Sequence, residues 1–287
     1  KVFQFLSAVA LSSMALISQA QDVSNARGYV QVYDVASKSN LSLNEYKQYH
    51  AENALADVSY IFWSSQGKLL IKVENLTNDP IYVNWSKSTF TVEGVEIPLT
   101  PDETKLQDNQ QKIYNKYKAS DPVITDMDYE WQKITMGREE KKDEVSEIIG
   151  KSSFTKGNYY IMPRVRNEDA GVILDTTVAS YEEKHNAVKN QKAVIYKADY
   201  TEATSPIAFT CKLVIANNQE FKNETVIAET FYIASVREMD AKHFRGKRVG
   251  QTPEGMGIYK FPERKGTSFY IEINPRNSVD FNKKYAR

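Results

Sequence analysis

Apolar and polar residues alternate along many short segments of the chain. Every second residue from Phe209 to Ile215 is apolar, and Leu69, Ile71 and Val73 follow the same spacing. Successive side chains of a β-strand point to opposite faces, so this period is typical of strands with one buried face. Together with β-rich composition, the pattern predicts strands at residues 29–35, 58–63, 68–74, 81–85, 90–92, 95–97, 158–165, 192–197, 207–216, 225–236 and 267–273.

Short turns separate several of these strands. Gln66-Gly67 and Glu93-Gly94 each join two apolar runs, and Asn217-Asn218 follows the strand predicted at 207–216. Gly and Asn readily adopt the backbone conformations that tight turns require. Many short strands joined in this way favour an antiparallel arrangement. We therefore predict a mainly β protein with immunoglobulin-like antiparallel β-sandwich character and a few short helices.

Signals for helices occur at three places. Ser42-Leu43-Asn44-Glu45 matches a capping box and predicts a short helix at 43–55. A narrow apolar face in 145–149, closed by Gly150, predicts the end of a second helix. A helix-compatible spacing of apolar residues predicts a third at 177–191.

The composition changes in the middle of the chain. Residues 101–150 are mostly polar and contain a mixed charge run, which indicates an insertion or connector that is partly helical. Two β-rich lobes flank this segment in the predicted organisation, and one sandwich interrupted by the insertion is the alternative. The predicted units are a cleavable signal peptide at 1–20, an N-terminal lobe at 21–100, the connector at 101–150, a C-terminal lobe at 151–277 and a polar tail at 278–287.

Residues 1–20 have the pattern of an export signal. Lys1 precedes a nearly all-apolar stretch, and Ser18-Gln19-Ala20 is a small-x-small cleavage signature. The apolar stretch is interrupted by polar residues and is shorter than a membrane span requires. We expect cleavage after Ala20, no transmembrane segment in the mature chain, and a periplasmic or secreted protein.

Charge and cysteine content narrow the classes of function. The 37 Lys and Arg residues balance the 37 Asp and Glu residues. This balance argues against a nucleic-acid-binding protein, because such proteins carry a strong excess of positive charge. Cys211 is the one cysteine, so no internal disulfide can form. Its position on the apolar side of a predicted strand indicates a buried structural thiol rather than a nucleophile.

The sequence contains no established catalytic or metal-binding motif. His50, His185 and His243 are far apart, form no pair at metal-ligand spacing, and are interpreted as surface histidines. Neither a G-x-S-x-G elbow nor a phosphate-binding glycine motif occurs. We therefore predict no catalytic, cofactor-binding or metal-binding residue and no cofactor. A pair of carboxylates brought together by the fold stays open as an alternative.

Aromatic and basic residues supply two further candidates for binding. Trp63, Trp85 and Trp131 have the chemistry of a platform for sugars or peptides. A Trp in a sandwich strand more commonly packs into the core, however, and we expect that role here. The basic segment Lys242–Arg248 suits an anionic partner, but a solvated loop is the commoner role of such a run. Neither group is assigned a function.

Two segments resemble uncharacterised exported proteins of Bacteroidetes bacteria. The first runs from Val73 to Ser88 and the second from Ile227 to Val236. In those proteins a strand ending in an Asn-rich turn leads into an aromatic strand with Trp, and a second strand pair follows much later. The resemblance implies the source and the compartment of an exported β-sandwich protein, and it implies no catalytic residue.

These features together favour binding over catalysis. We expect an exported, non-catalytic binding or envelope-associated protein whose partner is an unknown envelope protein or glycan. The alternatives are a hydrolase of cell-envelope or extracellular glycans or peptides and a subunit of a surface assembly. A deep cleft with two acids would favour the hydrolase. An exposed sheet edge or a terminal strand swapped through the tail from Ser278 would favour the assembly subunit.

Overall fold

The fold is mainly β, with antiparallel sheets in a sandwich-like arrangement and one short helix among the described residues. This confirms the predicted fold class at the level of a mainly β antiparallel sandwich. The predicted signal peptide and most of the predicted connector lie outside the described residues. A computed structural model describes residues 28–64, 67–92, 94–99, 145–161, 171–174, 180–186, 191–245, 248–251, 257–259, 261–279 and 283.

Sixteen strands are assigned in the described part of the chain, followed near its end by a 3-10 turn at Pro275–Asn277. The strands are β1 Tyr29–Ser37, β2 Tyr49–Glu52, β3 Ala56–Ile61, β4 Lys68–Asn75, β5 Ile81–Asn84, β6 Thr89–Val92, β7 Val95–Pro98, β8 Val145–Ile148, β9 Ser153–Tyr160, β10 Ser180–Asn186, β11 Gln191–Asp199, β12 Ala208–Ala216, β13 Glu224–Asp240, β14 Arg248–Gln251, β15 Gly257–Tyr259 and β16 Ser268–Ile273, and the helix is α1 Ala241–Arg245.

The long strand β13 organises a sheet of ten strands. One edge of β13 pairs first with β12 and then with β11, while its other edge pairs with β1. Beyond these, β16 pairs with β1, β10 pairs with β11, and β12 pairs with both β5 and β6. Strands from both predicted lobes therefore belong to one sheet. Pairing between strands distant in sequence joins the ranges 21–100 and 151–277 within it.

A second sheet, in the order β2-β3-β4-β9, packs against the large sheet through the main core. The alternating residues Leu69, Ile71 and Val73 of β4 are fully buried in this core. Phe209 and Leu213 of β12 are buried in the same cluster. The period of two in the sequence thus identified the inner faces of both sheets, since each strand contributes every second side chain to the core.

Strand β1 is buried on both faces. Tyr33 and Val35 belong to the main core, whereas Val30 and Val32 belong to a second cluster that also contains Trp63 and other apolar residues. Other members of the second cluster include Met239, Phe244, Phe261 and Tyr270. Because both faces of β1 are covered, the strand carries apolar residues in consecutive positions instead of a simple alternation.

A buried hydrogen-bond network satisfies the polar residues of this region. Glu238 is fully buried, and its carboxylate accepts hydrogen bonds from Gln31 Nε2 at 3.0 Å, Ser278 Oγ at 2.7 Å and the Val279 N–H at 2.7 Å. Tyr33 OH donates to Gln31 Oε1 at 2.5 Å. The start of the predicted polar tail is therefore held in the chain's own core, because buried polar groups are stable only when they are paired.

The helix predicted at 43–55 is wrong. Leu43 forms an isolated bridge with Tyr49, and β2 begins at Tyr49. Asn44 Oδ1 accepts hydrogen bonds from the N–H groups of Tyr46 and Gln48, both at 3.0 Å. Asn side chains stabilise turns in this way, so the polar run after Ser42 forms a turn instead of a helical cap.

The other two predicted helices are wrong within the described residues. Val145–Ile148 is strand β8, paired with β5, and Ser180–Asn186 is strand β10, paired with β11. Gly150 lies in a turn where a Cβ would come within 2.1 Å of the Asn78 carbonyl oxygen, so its role is close backbone approach. Pairing with a neighbouring strand outweighs the weak helical spacing at both places, because propensity is easily overridden by tertiary contacts.

Most predicted strands are confirmed with shifted ends. The predicted hairpins at 58–74 and 90–97 are β3–β4 and β6–β7, both antiparallel. The strand predicted at 158–165 is β9, Ser153–Tyr160, and residues 162–170 lie outside the described part. The turn at Asn217-Asn218 is also confirmed, since the Phe221 N–H donates to the Asn218 carbonyl oxygen at 3.2 Å.

Candidate functional site

An open cleft of about 510 Å³ lies where two loops meet. The first loop, residues 41–48, connects β1 to β2, and the second loop, residues 261–267, precedes β16. The first loop contributes an apolar residue, an aromatic residue and a cation, and the second contributes two cations and a glycine. The lining residues include Leu43, Tyr46 and Lys47 from the first loop and Arg264, Lys265 and Gly266 from the second.

The turn built on Asn44 determines what the first loop presents. Besides the two hydrogen bonds that its Oδ1 accepts, Asn44 donates its N–H to the Gln48 carbonyl oxygen at 2.9 Å. Lys47 has a φ of 59°, in the left-handed region of backbone conformation. Leu43 and Tyr46 are 46% and 50% exposed, and Lys47 is also exposed. The loop therefore holds an aromatic ring and a cation at the surface, on a backbone fixed by hydrogen bonds.

Gly266 allows the second loop to contact the first. A Cβ at this position would lie 2.3 Å from the Lys47 carbonyl oxygen and 2.9 Å from that of Tyr46. Carbon atoms do not approach backbone oxygens this closely, so a larger residue would push the loops apart. The shape of the cleft thus depends on a residue without a side chain.

Replacing Gly266 by Ala is expected to lower the free energy of unfolding by about 1–3 kcal/mol, since an added methyl group must displace backbone. Urea denaturation measures the change. Gly28→Ala is the matched control, because its Cβ would lie 3.4 Å from the Ala241 Cβ, an ordinary contact. That control is expected to change the free energy by at most about 1 kcal/mol. Equal effects of the two substitutions would contradict the close loop contact.

A buried ion-pair network fixes the second loop to the large sheet. Arg237 of β13 contacts Glu263 through Nη1, and its Nη2 lies 3.1 Å from Asp34 Oδ1. Asp34 Oδ2 also accepts from Lys265 Nζ at 2.9 Å and from Ser235 Oγ at 3.0 Å. The side chains of Arg237 and Glu263 are about one-tenth exposed, so both charges are largely removed from water. Two carboxylates and two cations balance each other in this network.

Three of the residues that line the cleft are cationic, namely Lys47, Arg264 and Lys265. Lys265 is paired with Asp34, and the Arg264 guanidinium lies 5.7 Å from the centre of the Trp63 ring. Lys47 is exposed, and the cleft-lining residues include no Asp or Glu. A lining with cationic and no acidic side chains is chemically suited to an anionic ligand.

Two carboxylates beside the second loop bear on the predicted alternative of a catalytic carboxylate pair. Asp34 and Glu263 converge on Arg237. Their oxygens are bound by cations beneath the second loop, and neither residue lines the cleft. A glycosidase needs one carboxyl group as a proton donor and a second opposite it across the substrate. This pair has the geometry of a structural ion-pair network instead.

The structure brings together three residues that the sequence analysis did not connect. His50 Nδ1 lies 2.9 Å from Asp57 Oδ1, and His50 Nε2 lies 2.9 Å from Ser42 Oγ. The interpretation of His50 as a surface histidine missed both contacts. The contact with Asp57 depends on the pairing of β2 with β3, and the contact with Ser42 depends on the backbone bond between the first loop and β2. His243 is buried in α1, which contradicts its interpretation as a surface residue, and His185 lies in β10.

The cysteine, the tryptophans and the basic segment that the sequence analysis considered are not among the described residues that line the cleft. Cys211 is fully buried, and burial raises the pKa of its thiol well above the ordinary range, with the nearby Glu229 carboxylate adding to the shift. This confirms the predicted buried thiol. Trp63 and Trp85 are buried as predicted, while Trp131 lies outside the described residues. The basic segment at 242–248 begins in α1 instead of a loop.

No protein-family model, curated protein sequence or solved structure matches the chain. Within the described residues, no three His, Cys, Asp or Glu side chains lie close enough to hold a metal ion together. The helix of that same part is too short to cross a membrane. Function is therefore inferred from the side chains of the site.

Proposed function

We propose that this chain is an exported binding protein of the cell envelope and that the cleft between its two loops binds an anionic glycan. The cationic lining of the cleft is the observation that carries the proposal. The exposed Lys47 provides charge for carboxylate groups, and the exposed Tyr46 ring provides a face for a sugar. The signal-like residues 1–20 and the resemblance to exported Bacteroidetes proteins support the compartment.

A rigid base supports binding at this cleft. The second loop is anchored by Arg237 and Glu263, and the first loop is anchored by the Asn44 turn. Loops held in one conformation lose less entropy when a ligand binds, which raises affinity for a given set of contacts. This arrangement supports a recognition surface carried on a sandwich scaffold.

Assembly through a swapped terminal strand is less well supported. Ser278 and Val279, at the start of the predicted tail, are buried and bonded to Glu238 of the same chain. Exchange of this segment between subunits would first have to break those buried hydrogen bonds, and leaving the Glu238 carboxylate unpaired is costly.

Calorimetric titration with tetragalacturonate, an acidic oligosaccharide, tests the proposal. Lys47→Gln is expected to weaken binding by about tenfold, because a hydrogen bond to a charged group contributes about 1.5 kcal/mol or more. The neutral tetrasaccharide cellotetraose is expected to bind at least tenfold more weakly to the unmodified protein by the same reasoning.

Lys222→Gln is the matched control, since Lys222 is an exposed lysine in the turn between β12 and β13 and does not line the cleft. It is expected to leave the affinity unchanged. Absence of tetragalacturonate binding, or equal losses for the two lysine variants, would overturn the proposed ligand class.

A further inference from the structure

Ser42, His50 and Asp57 form a continuous chain of hydrogen bonds outside the proposed binding cleft. Both links measure 2.9 Å, from Ser42 Oγ to His50 Nε2 and from His50 Nδ1 to Asp57 Oδ1. The two imidazole nitrogens thus have different partners, a hydroxyl group on one side and a carboxylate on the other. When Nδ1 carries the proton and donates to Asp57, Nε2 accepts from the Ser42 hydroxyl.

Strand register places these residues on one face of the smaller sheet. His50 pairs with Ser59 and Glu52 pairs with Asp57, so His50 and Asp57 are diagonal neighbours on adjacent antiparallel strands. Ser42 is brought alongside by the His50 N–H, which donates to the Ser42 carbonyl oxygen at 3.2 Å. Two backbone contacts hold the loop there, since Leu43 also bridges to Tyr49.

The arrangement meets the geometric conditions for an activated serine nucleophile. Such a site needs a hydroxyl within hydrogen-bond distance of a base and a third group that orients the base. Ser42 is exposed, so a substrate can reach its Oγ. The side chains of His50 and Asp57 are 19% and 22% exposed, which leaves the relay partly sheltered from water.

The residue after Ser42 offers a backbone N–H donor. The N–H of the residue after a nucleophilic serine commonly contributes to an oxyanion hole. Here that residue is Leu43, and its bridge to Tyr49 is of the type in which the N–H points away from the partner strand. This N–H forms no hydrogen bond with the residues that the structure describes.

We infer that Ser42, His50 and Asp57 form a hydrolytic site that cleaves small carboxylic esters. Ser42 Oγ attacks the acyl carbon while its proton passes to His50 Nε2. The bond to the leaving alkoxide then breaks, and the alkoxide takes that proton and departs as the alcohol. Water attacks the acyl-serine by the same route in reverse, which releases the carboxylic acid and restores the Ser42 hydroxyl.

The roles of the three residues differ in this reaction. Ser42 is the nucleophile, and His50 transfers the proton as general base and then general acid. Asp57 is a positioning residue, because it contacts the imidazole and not the ester. The exposed position of Ser42 suits short acyl groups on good leaving groups. This activity goes beyond glycan binding and does not depend on the cleft.

Hydrolysis of p-nitrophenyl acetate by the full chain measures the activity. Ser42→Ala and His50→Gln are each expected to reduce the protein-dependent rate by at least about 100-fold, the lower end of what general-base catalysis contributes. Ser39→Ala is the matched control, because Ser39 is exposed in the same connection and is not bonded to a histidine. A rate equal to that of the unmodified protein in Ser42→Ala would overturn the inference.

Covalent labelling tests the nucleophile without relying on any variant. A fluorophosphonate probe is expected to modify Ser42 with loss of fluoride, and the fragment ions of the tryptic peptide 39–47 in tandem mass spectrometry distinguish Ser42 from Ser39. Asp57→Asn is expected to slow this labelling, and Asp57→Glu, which keeps the carboxylate, to restore part of the rate. Absence of a Ser42 adduct in the unmodified protein would show that the relay only holds the loop and would overturn the inference.

Discussion

Replacing Arg237 by Ala is expected to lower the free energy of unfolding by about 3–5 kcal/mol, because the substitution leaves two largely buried carboxylates without their shared cation. The guanidinium contacts Glu263 through one nitrogen and Asp34 through another. Without the guanidinium, negative charge remains beneath the second loop, where water cannot fully solvate the carboxylate oxygens. The loop itself is expected to detach from the sheet. Urea denaturation of the variant and of the unmodified protein measures this effect.

Two further variants distinguish the stability contributed by this buried ion-pair network from that of an exposed ion pair. Arg237→Lys is expected to retain only part of the free energy of unfolding that Arg237→Ala loses. A single ammonium group cannot reproduce the planar guanidinium that contacts both carboxylates. Lys38→Ala removes an exposed ion pair with Glu202, whose side chains are 56% and 51% exposed. That control is expected to cost no more than about 1 kcal/mol. Equal losses for Arg237→Ala and Lys38→Ala would show that the network does not stabilise the fold.

Replacing Phe231 by Ala is the second large expected effect, with a loss of about 3–5 kcal/mol in the free energy of unfolding. Phe231 is fully buried between the two sheets. Its ring centre lies 4.9 Å from that of Tyr60, 5.3 Å from that of Phe62 and 5.5 Å from that of Phe209. Truncation removes these contacts and leaves a cavity that surrounding strands can fill only in part.

The control for this variant lies on the same strand. Val226 of β13 is 52% exposed, so Val226→Ala changes strand propensity but creates no cavity. It is expected to lower the free energy of unfolding by at most about 1 kcal/mol. Comparable midpoints and slopes for the Phe231 and Val226 variants in urea would contradict the placement of Phe231 at the centre of the sandwich.

Strands with one buried face were predictable because their pattern is local. Residues 68–74 and 207–216 show the alternation clearly, and β4 and β12 lie close to those bounds. The predicted helix at 43–55 failed because a capping box is a short signal that a turn can satisfy equally well. Asn44 organises that turn, and Tyr49 then enters β2 with its ring 5.8 Å from that of Phe231.

The candidate sites were less predictable than the strands. Lys47 and Arg264 are separated by more than 200 residues of sequence, and nothing local indicates that their loops meet. Gly266 was informative in principle, since a glycine in a loop often marks close approach, but its partner could not be identified. Ser42, His50 and Asp57 carry no motif spacing, so their relay follows from the register of β2 with β3 and from the backbone contact between Ser42 and His50.

By itself, the sequence determined the mainly β fold class, the inner faces of the principal strands and the burial of Cys211, because each depends on the local order of apolar and polar residues. The tertiary structure decided that strands from both halves share one sheet, that two loops form a cationic cleft, and that Ser42 meets His50 and Asp57. A shift of register by one residue turns every side chain of a strand to the opposite face, so such contacts exist only once the strands have paired.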